Sequence, residues 1–135
     1  MKHFISLFLV AFLVFGCSDD DNYHAYHLEY IGAVSADVPD EFVQGNTYLI
    51  NVTIELPNSC YYYYNQYDYF YKGTSRLIYP IAHVDDDVPC SEAIREVTFS
   101  IPVQALQSEP YIFKFYQGED EEGQDVFLTI EVPVI

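Results

Sequence analysis

"YLINVTIEL" occupies residues 48–56, and its strongly apolar positions fall on every second residue. Tyr48, Ile50, Val52, Ile54 and Leu56 belong to one face of an extended chain, Leu49, Asn51, Thr53 and Glu55 to the other. A period of two carried by β-branched residues is the pattern of a strand with one buried face. Gly45-Asn46 in front and Pro57-Asn58 behind supply turn residues at both ends. The stretch sets the fold class, because no segment after Cys17 offers a convincing 3.6-residue period.

The same reading extends in both directions. His24–Ala36, Cys60–Tyr71, Arg76–Val84, Ile94–Val103, Tyr111–Tyr116 and Val126–Val134 are also rich in β-branched and aromatic residues. With 48–56 they make seven runs, which predicts an all-β chain: a single immunoglobulin-like antiparallel β-sandwich over residues 24–135. Pro80 cannot donate to a ladder, so Arg76–Val84 is expected at a sheet edge. Tyr111, just after Pro110 in "LQSEPYIFKF" (106–115), is placed to make a tyrosine corner.

"LVFGCSDDD" (13–21) marks a different kind of boundary. Lys2 and His3 form a short basic start, and Phe4–Phe15 is apolar apart from Ser6. Such a run is short for a membrane span and matches a secretory leader, here residues 1–16. Val14, Gly16 and Cys17 follow the lipobox pattern, with Phe15 larger than usual at its position. On these residues the chain resembles a bacterial lipoprotein precursor. That resemblance implies cleavage before Cys17, acylation of its thiol and attachment to a lipid bilayer, since two or three acyl chains anchor stably. Ser18-Asp19-Asp20-Asp21, within an acidic tether over 17–23, resembles the Cys-Ser-acidic export signal of Bacteroidota lipoproteins, which implies the outer membrane and its cell-surface face, the periplasmic face being the alternative. At the level of pattern only, the remainder resembles small immunoglobulin-like lipoproteins of the same group.

Charge narrows the partners. All 21 acidic residues follow the leader, against Lys72, Arg76, Arg95 and Lys114. Nucleic acid is excluded, because its binders need a basic footprint, and electrostatic adhesion to anionic lipid is disfavoured for the same reason. With Cys17 assigned to the anchor, an exported chain has Cys60 and Cys90 left for a disulfide. Free thiols or a metal pair are poorer readings without CxxC spacing. The bridge would join the start of the Cys60–Tyr71 strand to the loop before Ile94–Val103.

"CYYYYNQYDYFYKG" (60–73) is the unusual stretch. Alternation divides it into Tyr61, Tyr63, Asn65, Tyr67, Tyr69 and Tyr71 on one side, and Tyr62, Tyr64, Gln66, Asp68 and Phe70 on the other. The candidate binding residues are Tyr61, Tyr63, Tyr67, Tyr69 and Tyr71, since an exposed tyrosine offers an apolar ring with a hydroxyl at its rim. "GEDEEGQD" (118–125) lacks the alternating acids of a calcium loop and reads as a hairpin turn, and Asp85-Asp86-Asp87 as a charged tip. His24, His27 and His83 have no ligand spacing, and Asn51-Val52-Thr53 is a sequon lying within a strand. No nucleophile elbow, HExxH or phosphate loop is present, so neither catalysis nor a cofactor or metal is expected. Two functions remain: a non-catalytic binding module for glycan or protein, and a structural or assembly accessory of an outer-membrane complex without a small ligand.

Overall fold

The computed structural model describes Gly16 and residues 24–135; the leader, the Cys17 lipidation site and the acidic tether lie outside the described residues. Within 24–135 every regular element is a strand: β1 (Tyr26–Tyr30), β2 (Ala33–Asp37), β3 (Thr47–Leu56), β4 (Tyr61–Lys72), β5 (Ser75–Asp85), β6 (Arg95–Gln104), β7 (Tyr111–Glu119) and β8 (Asp125–Val132). The smaller sheet has the order β2-β3-β6, and the larger runs β1-β5-β7-β8 with β4 also paired to β5. The alternation read at 48–56 holds, with Ile50, Val52, Ile54 and Leu56 buried. They join Phe99, Ile101 and Val103 of β6 and face Ile78, Ala82, Val84, Phe113 and Phe115 of the larger sheet in one core. This is an all-β sandwich.

Three features depart from expectation, each for a non-local reason. The first run divides into β1 and β2, because the chain leaves the larger sheet and joins the smaller one at Gly32. A Cβ there would lie 2.6 Å from the Gln117 carbonyl oxygen, so only glycine fits the crossing. Next, β5 is a central strand and not an edge, although it contains Pro80. On one flank it pairs with β7 as far as Ile78 and with β1 from Ile81. Pro80 sits at that changeover, where its carbonyl accepts from Ile31 N at 2.9 Å and the strand can spare an N–H. Finally, β5 and β7 run parallel over Ser75–Ile78, whereas a wholly antiparallel sandwich was expected. The chain traverses the opposite sheet as β6 before returning as β7, so two strands on one sheet point the same way.

Two local expectations are met. Tyr111 Oη accepts from Leu106 N at 3.0 Å and lies 3.3 Å from the Gln104 carbonyl, which fixes the corner leading into β7. Cys60 and Cys90 form a disulfide with 5.4 Å between Cα atoms, tying the start of β4 to the β5–β6 connection. The turn after β7 is capped from within: Asp120 Oδ1 accepts from Glu122 N and Gln124 N, both at 2.9 Å.

Candidate functional site

The tyrosine run forms β4, an edge strand whose two faces meet different surroundings. Its register against β5 passes from Tyr62↔His83 to Gln66↔Ile81, so β4 spends four residues where β5 spends two. Asn65 absorbs the excess in the left-handed region, at φ 57°. Because the insertion is two residues, the odd and even sets keep their faces beyond it.

The odd set turns inward. Tyr61, Tyr63, Tyr67 and Tyr69 pack partly buried against the core, so of the candidate residues Tyr71 alone is strongly exposed. Tyr63 and Tyr67 lie 4.7 and 5.7 Å from the Phe99 ring. The even set contains Gln66 and Asp68, and the polar side of an edge strand is the one that faces water. Burial pushes the Tyr63 and Tyr69 hydroxyls up from the ordinary tyrosine range. The nearby Glu29 carboxylate, with burial second, pushes Tyr61 up to about 12. Tyr63 Oη is buried with no partner. Tyr63→Phe should therefore leave stability unchanged or raise it by up to ~1 kcal/mol in urea unfolding, since a buried hydroxyl without a bond only costs desolvation.

Tyr67, Tyr69 and Tyr71 reach the open side of the sandwich, where β4 and β6 part. They line a cleft of about 580 Å³ together with Arg76, Gln104, Gln107 and Tyr111. Tyr71 is 74% exposed.

The outer face of the larger sheet holds a second aromatic surface. Tyr79 is its centre, with Tyr30, Phe70, Tyr116 and Phe127 around it at centroid distances of 4.8–5.7 Å. Burial and a hydrogen bond to Asp125 at 2.8 Å push Tyr79 up to about 12. Tyr30 donates to Asp68 Oδ2, a bond that raises its own pKa. Farther along, Tyr26 stacks on His83 at 4.1 Å and Tyr64 meets the same ring edge-on at 5.2 Å. Between the two groups a shallow groove of about 360 Å³ runs over Ile81, walled by Leu28, Tyr30 and Asp68. Tyr26, Leu28, Tyr30, Tyr64 and Phe70 are each 44–61% exposed.

This face escaped the sequence reading. It is assembled from β1, β4, β5, β7 and β8, and the even residues of β4 contribute only part of it.

At the rim, His27 bonds Asp86 through Nδ1 at 2.8 Å and Glu29 through Nε2 at 2.9 Å. Those two carboxylates, Glu29 first, raise the imidazole above its ordinary 6.5. A raised folded-state pKa stabilises fully below 6.5, and the contribution disappears as pH climbs through the raised value. The difference in melting temperature between wild type and His27→Gln should thus shrink as pH rises from 6.5.

No protein-family model, curated protein or solved structure matched the chain, so the surfaces are read from their own chemistry.

Proposed function

We propose that this protein is a lipid-anchored, non-catalytic module that binds a neutral glycan on the outer face of its larger sheet. The observation that carries the reading is the contiguous exposed aromatic surface formed by Tyr26, Tyr30, Tyr64 and Phe70 around the Ile81 groove. Exposed rings of this kind stack on the C–H faces of sugars, and carboxylates at their margin accept from sugar hydroxyls. Asp68 suits that role, because among the described residues only its Oδ2 is bonded within the protein. The groove itself is lined by the carboxylates Glu29 and Asp68 and by no Lys or Arg, so a neutral sugar fits it better than an acidic one. The anchor rests on the leader, Gly16-Cys17 and the acidic residues behind them, as does assignment to the outer membrane and its surface face.

The test screens the purified chain and its Tyr26→Ala and Tyr64→Ala variants on arrays of neutral glycans. Each variant should unfold within about 0.5 kcal/mol of wild type, since neither ring is buried. Each should lose ~0.5–1.5 kcal/mol of binding, the contribution of one aromatic contact. Undiminished binding in both places the ligand elsewhere. No binding by wild type favours the structural or assembly accessory, which the inward packing of Tyr61, Tyr63, Tyr67 and Tyr69 also favours. Detergent-phase partition of the wild type, abolished in Cys17→Ala, tests the anchor separately.

A further inference from the structure

Arg76 is the one buried charged residue among those described, with 8% of its surface exposed. It is the second residue of β5, just beyond the Gly73–Thr74 turn, and borders the cleft between the sheets. Nη1 donates to the carbonyls of Gly73 and Ser75, and Nη2 to Gln107 Oε1, all at 2.9 Å. A guanidinium has five N–H donors, so Nε–H and one Nη2–H are left without an acceptor in the protein.

No carboxylate answers the charge either. The ion pairs of the described residues all involve histidine. The chain holds 21 acidic residues, yet none lines this cleft. A buried cation without an anion is costly. The Tyr71 and Tyr111 rings, 4.4 and 5.2 Å from the guanidinium carbon, offset part of that cost but supply no acceptor. The space beside Arg76 can hold an anion.

The walls narrow its class. Tyr67, Tyr69 and Tyr71 stand at two-residue steps, ~6.8 Å apart along an extended strand. Gln104 and Gln107 complete the lining with amides. Rings and amides together suit a hydroxylated ring, and Arg suits a carboxylate, which it grips with two parallel donors. The formal net charge of −16 repels polyanions, which limits the ligand to a single acidic group on an otherwise neutral body. We infer that the cleft between β4 and β6 binds a uronate, a sugar ring bearing one carboxylate, with the carboxylate on Arg76 and the ring against Tyr69 and Tyr71. The site lies on the opposite side of β4 from the outer aromatic face and does not depend on binding there.

The experiment titrates the purified full chain by calorimetry with methyl glucuronide, its uncharged amide, methyl glucoside and acetate, and follows the Arg76 Nε–H resonance. Glucuronide should bind saturably at one site and move that resonance, while the amide and the glucoside bind about tenfold more weakly or worse. Arg76→Gln should abolish the preference for the charged sugar. Where that variant fails to fold, Tyr71→Ala, at an exposed position, serves in its place and should weaken glucuronide several-fold. Equal affinity for glucuronide and its amide, no binding, or an unmoved resonance would each overturn the proposal. So would acetate binding as tightly as the sugar. Tyr64→Ala should leave glucuronide affinity unchanged; a loss there moves the ligand to the outer face and rejects the cleft.

Discussion

Phe42→Ala should destabilise the protein by about 3–5 kcal/mol, the usual range for truncating a fully buried aromatic. The ring has no exposed surface. It stacks on Tyr48 at 4.6 Å and meets Tyr111 and Phe113 edge-on at 5.3 and 6.0 Å. These neighbours come from β3 and β7, so the cavity would open between the two sheets, where no single element can collapse to fill it. Phe42 also fastens the chain end: its N–H donates to the Pro133 carbonyl and its carbonyl accepts from Ile135 N, both at 2.8 Å. Those backbone bonds survive the substitution, so the loss reports the ring. Equilibrium unfolding in urea should show a lower midpoint at nearly unchanged slope. A cost below about 1 kcal/mol would mean that the sheets close over the gap.

Cys60→Ala/Cys90→Ala should cost ~3.5 kcal/mol, from the entropy that a closed loop of this size removes from the unfolded chain. The two cysteines are separated by 30 in sequence, and the loop contains all of β4 and β5. The folded side of the balance changes less. Ser59 N still donates to the Ser91 carbonyl at 3.0 Å, and Ser91 N to Ser59 Oγ at 2.8 Å, so the β5–β6 connection keeps its place beside β4. Wild type unfolded under reducing conditions should match the double variant. If reduction leaves the unfolding midpoint where it was, or the purified chain yields two free thiols, the bridge is not a stabilising element.

Legibility in the sequence followed the range of the interactions. Strand positions were readable because alternation and turn residues act within a few residues, as in 48–56 between Gly45-Asn46 and Pro57-Asn58. The tyrosine corner was readable too, since Tyr111 reaches only as far as Gln104–Gln107. The pairing of Cys60 with Cys90 followed from elimination once Cys17 was assigned to the anchor. For the candidate site less was visible. Two alternating sets could be written for β4, with Tyr61, Tyr63, Tyr67, Tyr69 and Tyr71 as candidates, but which set faces the core was decided only by the packing of β4 against β6.

By itself, then, the sequence determined an all-β chain, the runs from which its strands are drawn, and the division of each run into two faces. Propensity and sterics act on neighbours, and neighbours are what a sequence records. Tertiary structure alone decided which faces meet. It put Pro80 in a central strand, where one flanking partner gives way to another, and split the first run at Gly32 against the Gln117 backbone. It collected aromatic residues from five strands onto one outer surface. It also buried Arg76 beside a cleft that no carboxylate lines, because burial and counter-charge depend on sheet pairing between residues far apart in the chain.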